Sequence, residues 1–242
     1  MNKVLIIIPA YNEKKSIGGV VMGVKNTLPE ADILVVNDGS TDGTSGEARQ
    51  AGAMVLDLPC NMGLGVALQS GFIFAHKRDY RFVVRMDGDG QHRPSELKAL
   101  LAPIERGDSD MVVGSRFLGK DVIPSAEGHT ECRPTAARRA GIRFFSAFLS
   151  LLLGKTITDP TYGFQAMNRK AVSFFAREYP PDYPELEARL LAQKAGLNIT
   201  EIPSRMLQRT GGVSSIDFFN SIYIVIEALT STIVGMFRKV EN

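Results

Sequence analysis

Five short runs of β-branched and aliphatic residues punctuate the first half of the chain: Val4–Ile8, Ile33–Val36, Met54–Leu58, Phe82–Arg85 and Met111–Val113. Each is too short for a buried helix and is bounded by turn-forming residues, which predicts strands. Between them, helical periodicity predicts helices near 13–28, 42–51, 65–78 and 94–106. The last carries Leu97, Leu100, Leu101 and Ile104 on one face, with Pro94 suited to a first turn and Gly107 to a stop. Strands alternating with helices in this order predict an α/β fold, a mainly parallel central sheet flanked by helices.

Beyond Met111–Val113 the pattern changes. Gly119–Pro134 is rich in polar residues, glycine and proline and reads as a mobile loop. Three arginines, Arg138, Arg139 and Arg143, then lead into an apolar helix that ends near Leu153-Gly154. It reads either as a core helix with a basic first turn or as a helix lying on a membrane surface. A second apolar stretch, Ile216–Phe237, includes Asp217, Asn220 and Glu227 and is followed by Arg238 and Lys239. Those polar residues predict an amphipathic C-terminal helix, surface-lying or partner-bound.

Composition narrows the class. With 242 residues, 44% hydrophobic and 22% charged, the chain can bury a sizeable core. A formal net charge of +2 gives no general case for nucleic acid. Cys60 and Cys132 form neither a disulfide framework nor a metal-ligand spacing, and are expected to be reduced thiols. Lys3, the short Val4–Ile8 run and Pro9 read as a buried strand rather than a secretory leader. No uninterrupted apolar stretch reaches the ~20 residues of a membrane span. The protein is therefore expected to be soluble or to lie on a membrane without crossing it.

Parallel α/β sheets bind ligands beyond the carboxyl ends of their strands, and three turns there carry candidate chemistry. The first, Pro9-Ala-Tyr11-Asn-Glu13, offers an aromatic face for a base and a carboxylate. The second, Asn37-Asp38-Gly-Ser-Thr-Asp42-Gly43, offers Asp38 to a ring N–H or a ribose, with Ser40 or Thr41 as a helix cap. An Asp-Gly-Ser turn is by itself an ordinary loop. The third, Arg85-Met-Asp87-Gly-Asp89-Gly-Gln91-His92, places two carboxylates and an amide oxygen within five residues, separated by glycines. Hard oxygen ligands on a short loop suit Mg²⁺ or Mn²⁺. A calcium EF-hand is excluded, because Lys98 stands where its twelfth-position Glu belongs and the preceding segment is a strand.

Together, Pro9–Glu13, Asn37–Asp42, Asn61-Met-Gly-Leu-Gly65, Asp87–Gln91, Gly114-Ser-Arg116 and Asp159-Pro-Thr-Tyr-Gly-Phe164 resemble family 2 glycosyltransferases of GT-A fold. Within that family they are most similar to dolichol-phosphate mannose synthases and bacterial polyprenyl-phosphate sugar transferases. The resemblance runs through about residues 4–215. It implies a GT-A domain over 1–215, with a donor-binding half at 1–116 and an acceptor half at 117–215, before the amphipathic helix at 216–242.

The resemblance also implies roles. Pro9, Tyr11, Glu13 and Asp38 would hold the nucleoside, Asp89 and Gln91 the divalent ion, and Asp87 would lie close to the donor sugar or ribose. Arg116, Arg205 and Arg209 would meet the donor phosphates. Arg143 and Ser146, with Arg139 nearby, would receive the phosphate of the acceptor. Asp87, Asp89 and Arg116 are then the catalytic set. The family reads Arg-x-x-Gly-Glu-Ser-Lys at the loop after Arg209, where this chain has Val213 and Ser215 in place of Glu and Lys. The expected activity is inverting transfer of a hexose from a nucleotide sugar such as GDP-mannose or UDP-glucose to a polyprenyl phosphate. It would take place peripherally, on the cytoplasmic face of the membrane. The lack of the extra spans common in dolichol-phosphate synthases suggests a small membrane-protein partner.

Chemistry leaves other readings open. A lipid phosphate is already an anion and needs no general base, whereas a glycan hydroxyl does; Asp159, Glu185 or Glu187 would then supply one. A sugar-1-phosphate nucleotidyltransferase would want a basic, glycine-rich loop after the first strand, where this chain is acidic. A non-catalytic assembly module would not require Asp87, Asp89 and Gln91 intact. His76, His92 and His129 are isolated, and His92 beside the acidic loop could ligate or support.

Overall fold

A computed structural model describes residues 3–118, 141, 143, 144, 146–148, 150, 151, 154, 156–181 and 184–207. The strands are β1 (Val4–Ala10), β2 (Asp32–Asn37), β3 (Met54–Asp57), β4 (Phe82–Arg85), β5 (Met111–Ser115), β6 (Gln165–Asn168) and β7 (Ile199–Pro203). The helices are α1 (Ile17–Thr27), α2 (Thr44–Gln50), α3 (Leu64–Lys77), α4 (Leu97–Glu105), α5 (Arg169–Arg177) and α6 (Pro184–Lys194). A 3₁₀ turn, Pro94–Glu96, leads into α4.

The strands form one seven-stranded sheet in the order β3-β2-β1-β4-β6-β5-β7. All neighbours are parallel except β6, which runs antiparallel to both β4 and β5. The expected α/β architecture, a mainly parallel sheet of GT-A type flanked by helices, is therefore present. Every residue of β1 is buried, as a strand covered on both faces requires. Ile6 and Ile8 pack with Val20, Val21, Leu100 and Leu101 from α1 and α4. Leu5 and Ile7 pack on the opposite face with Leu68, Phe72, Phe175 and Leu191 from α3, α5 and α6. Each such aliphatic side chain contributes about 1.5–3 kcal/mol through burial.

The predicted elements hold with shifted ends. Helix α1 starts at Ile17 rather than near 13, because Glu13–Ser16 form a turn in which both Ser16 N and Ile17 N donate to the Glu13 carbonyl. Helix α2 starts at Thr44, whose backbone N–H is taken by Asp42 Oδ1 at 3.0 Å. Gly107 ends α4 as expected: it sits at φ 81°, a left-handed conformation open to glycine. Asp108 N then reaches back to the Pro103 carbonyl.

The Gly119–Pro134 loop, the Ile216–Phe237 helix and the proposed boundary at 215/216 lie outside the described residues. Within the expected apolar helix near 138–154, residues 141, 143, 144, 146–148, 150 and 151 are helical. Phe144 is 54% and Leu151 84% exposed. Among the described residues no helix is long and apolar enough to cross a membrane.

Candidate functional site

The turns after β1, β2 and β4 meet at the carboxyl edge of the sheet, and hydrogen bonds join the first two. Asn12, at φ 55°, donates its N–H to Ser40 Oγ at 2.9 Å, while its Oδ1 accepts from Thr41 N at 2.9 Å. Glu13 N donates to Thr44 Oγ1 at 2.9 Å, and Lys14 N to Asp42 Oδ2 at 3.1 Å. Tyr11 emerges from this double turn 47% exposed. Glu13 is nearly buried, its Oε2 accepting from Ser16 Oγ at 2.8 Å.

Asp38 has a task that its sequence context did not reveal. It is buried, and its two carboxylate oxygens accept the backbone N–H groups of Met62 and Gly63 at 2.7 and 3.0 Å. The carboxylate thereby braces the Asn61–Gly65 stretch that opens α3. Gly39 is indispensable here: at φ 70° its Cβ would lie 2.4 Å from the Cys60 carbonyl carbon. Cys60 is exposed and unbridged; Cys132 lies outside the described residues.

The acidic loop follows β4 and leans on β1. A Cβ on Gly88 would stand 3.2 Å from the Pro9 carbonyl oxygen, so the two turns touch through backbone. Asp89 Oδ1 accepts from Gln91 N at 3.0 Å, and Gln91 Nε2 donates to the Leu207 carbonyl at 3.2 Å. That orientation leaves the amide oxygen as the remaining acceptor of Gln91. Asp89 and this oxygen, on a loop with Gly90 at φ 79°, offer hard oxygen donors of the kind Mg²⁺ or Mn²⁺ takes, with other positions left to water and phosphate.

His92 is fully buried and supports the loop. Its Nδ1 accepts the Asp87 backbone N–H at 3.0 Å, which puts the proton on Nε2, 3.6 Å from Asp87 Oδ2. The ring lies near parallel to Phe164 and edge-on to Tyr162. Burial pushes its pKa down to about 4, with Asp87 opposing and Arg85 and Arg116 assisting. A β-bridge pairs His92 with Met206, and Leu207 N donates to the Gln91 carbonyl. Arg205 thus sits one residue from a segment stitched to the acidic loop. Its N–H meets Glu96, and its carbonyl accepts from Tyr162 Oη at 3.2 Å.

Arg116 does not stand open toward a phosphate. Its Nε and Nη2 grip Asp159 at 2.7 and 2.8 Å, its backbone N–H meets the same carboxylate at 3.0 Å, and Nη2 also reaches Thr161 Oγ1 at 2.9 Å. Nη1 faces the weakly accepting Met206 Sδ at 3.5 Å. Behind it lies a buried network that the sequence reading missed. Arg189 joins Glu201 Oε1 at 2.8 Å and the Asp159 carbonyl at 2.6 Å, and Glu201 Oε2 accepts from Thr158. Thr158 and Asp159 lie more than forty residues before Glu201 in sequence, and only the folded chain brings the three together with Arg189.

Of the residues expected to meet the acceptor, Arg143 is exposed, and Ser146 Oγ donates to the Ile157 carbonyl. The serine proton thus fastens the helix to residue 157, and donating it to a phosphate would require that bond to open. Arg139 and Arg209 lie outside the described residues. Of the carboxylates considered as bases, Asp159 is fully buried on Arg116. Glu185 is paired with the buried Arg85 at 2.5 Å, and Glu187 is buried within α6.

The family model for glycosyl transferase family 2 matches residues 5–174. The polyprenol monophosphomannose synthase of Mycolicibacterium smegmatis is 30% identical over 228 residues, 90% of this chain and 82% of the relative. The undecaprenyl-phosphate mannosyltransferase of Micrococcus luteus is 31% identical over 223 residues, 88% of this chain and 86% of the relative. Among solved structures, glucosyl-3-phosphoglycerate synthase from Mycobacterium tuberculosis was crystallised with Mn²⁺, UDP-glucose and phosphoglyceric acid. It superimposes with a TM-score of 0.72 at 18% identity over 97% of this chain and 79% of that one. At that identity the likeness speaks for the fold alone. A family model running from the first strand into α5, over turns that gather at one edge of the sheet, places this chain in glycosyl transferase family 2.

Proposed function

We propose that this chain transfers a hexose from a nucleotide-diphosphate sugar, of GDP-mannose or UDP-glucose type, to a polyprenyl phosphate such as dolichyl or undecaprenyl phosphate. The observation that carries this reading is the commitment of two candidate bases, Asp159 to Arg116 and Glu185 to Arg85, and the burial of the third, Glu187, on α6. An acceptor hydroxyl needs such a base; a phosphate acceptor is already ionised at neutral pH and needs only to be positioned. The names of the relatives from Mycolicibacterium and Micrococcus support the same acceptor.

In this reading Tyr11 stacks on the base, Pro9 and Glu13 border the nucleoside, and Asp38 holds the α3 entry against it. Asp89 and Gln91 would hold Mg²⁺ or Mn²⁺, which supplies positive charge to the diphosphate as it leaves. Asp87 contacts the sugar or ribose. Arg116, whose Nη1 lies on Met206 Sδ, would turn that edge to the phosphates, joined by Arg205 from the segment stitched to the acidic loop and by Arg209. Cations aimed at charge that develops as the anomeric bond breaks stabilise that step, and direct attack by the lipid phosphate inverts the anomeric centre. Arg143, with Arg139 and Ser146, positions the acceptor. The exposed Phe144 and Leu151 on the same helix support docking on the cytoplasmic face of a membrane, and a small membrane protein is a candidate partner.

The deciding assay offers polyprenyl phosphate and a free oligosaccharide side by side with one labelled donor. Label in the lipid phosphate alone, with free polyprenol inert, is the expected result. Label only in the oligosaccharide, with Glu187→Gln inactive and Arg143→Ala normal, overturns the acceptor assignment.

A further inference from the structure

Arg85 ends β4, and its side chain is 1% exposed. It pairs in register with Ile7 of β1 and Gln165 of β6, and alternation along the strand sends it to the same face as Val83. Withdrawing a guanidinium from water costs several kcal/mol unless its donors are satisfied. Arg85 Nε and Nη1 are buried and find no acceptor of good geometry among the described residues. Its Nη2, by contrast, lies 2.5 Å from Glu185 Oε1 and 3.6 Å from Asp87 Oδ1. As a tie within the core this side chain is poorly made; as a cation shared by two carboxylates it is well placed.

The surroundings fit that purpose. A Cβ on Gly163 would lie 2.8 Å from Arg85 Nη2 and 3.2 Å from Asp87 Oδ2, so the chain passing over the pair leaves it room as glycine. On its far side, Asp87 Oδ2 faces His92 Nε2 at 3.6 Å. Asp87 is itself 34% exposed, the one member of this group with substantial access to a ligand.

The geometry points to Arg85 as a positioning residue: anchored by Glu185, it fixes the direction of the Asp87 carboxylate and ties the start of α6 to the donor loop. Without the guanidinium, two like charges share a confined space, and Asp87 turns toward water and away from the donor. This inference rests on the donor-side role given to Asp87 above.

Four variants test it: Arg85→Met, which keeps the bulk; Arg85→Lys, which keeps the charge; Gly163→Ala, which wedges the pair apart; and Arg85→Met with Glu185→Gln. Steady-state kinetics gives kcat and KM for donor and acceptor separately. Calorimetry gives the affinity for UDP-glucose and GDP-mannose with Mn²⁺, independent of any acceptor. A lost charge-assisted contact predicts at least about a tenfold fall in donor kcat/KM for Arg85→Met and Gly163→Ala, with the acceptor KM unchanged. Arg85→Lys recovers part of that loss, and the double variant recovers none. Wild-type donor kinetics and affinity in folded Arg85→Met overturn the inference. So does recovery in the double variant, which would mean that Arg85 only neutralises Glu185. If Arg85→Met does not fold, Gly163→Ala and Arg85→Lys decide by the same readouts. If the wild type does not use lipid phosphate, the acceptor reading fails while the calorimetry still judges Arg85.

Discussion

Arg116 and Asp159 form a two-pronged ion pair, Nε to Oδ2 at 2.7 Å and Nη2 to Oδ1 at 2.8 Å, with the carboxylate fully withdrawn from solvent. A carboxylate so placed holds a cation in position and has no route to an acceptor hydroxyl. Asp159→Asn is therefore expected to behave as a structural lesion. Removing one charge of a buried pair costs about 3–5 kcal/mol, or roughly 10 °C in Tm for a chain of this size. Any residual turnover should keep the wild-type shape of its pH–rate profile. An unchanged Tm with loss of the acidic limb of that profile would mean that Asp159 is a base after all.

The acidic loop should respond to loss of one ligand as it does to loss of the ion. Asp89→Ala is expected to lower turnover by about 10²-fold or more, consistent with the several kcal/mol that a metal supplies. Excess chelator should do the same to the wild type, and Mn²⁺ or Mg²⁺ should restore it. Full activity in chelator contradicts the metal assignment.

Arg143 is exposed on the helical segment that precedes Ile157. If it receives the acceptor phosphate, Arg143→Ala should raise the acceptor KM and lower kcat, with donor affinity nearly unchanged. A charge-assisted hydrogen bond of about 1.5–3 kcal/mol sets the loss at roughly tenfold or more. Equal effects on donor and acceptor would place this arginine elsewhere in the reaction.

His92 gives a pH test of the folded scaffold. Its folded pKa of about 4 lies below the ordinary imidazole value of 6.5, so between those values the unfolded chain binds a proton that the native chain does not. Stability should therefore fall as the pH drops through that window, by on the order of 3 kcal/mol in total. Urea titrations of metal-free protein at a series of pH values check this. His92→Asn, which can keep an acceptor near the position of Nδ1, should flatten the slope.

How much of this could be read from the chain depends on where each signal resides. β1, β2 and β4 are runs of branched residues between turns, and periodicity finds them because both faces are buried. β6, Gln165-Ala-Met-Asn168, has no such signature. Its extended form comes from the antiparallel pairing with β4 and β5 on either side, a tertiary cause that a single sequence does not display. The helix after it is set by Asn168, whose side chain caps Ala171 N at 3.0 Å. The turns that bring Tyr11, Asp38 and the acidic loop to one edge of the sheet are legible because glycine and carboxylate spacing is local. Local pattern marks Arg85 only as the end of a strand, and nothing local marks Arg189 or Glu201. A buried ion pair shows itself only when its distant partner is known.

The stitching of His92 to Met206 and of Gln91 to Leu207 bears on how such a chain can diversify. A segment hydrogen-bonded backbone to backbone against the acidic loop is not an independent cassette. Grafting residues 204–207 from a relative of different sugar preference carries along the register of residues 91 and 92. Exchanging the two stretches together should preserve the fold, whereas exchanging either alone should break the bridge. Residues 91–92 and 206–207 are accordingly coupled through the backbone and form one unit of variation.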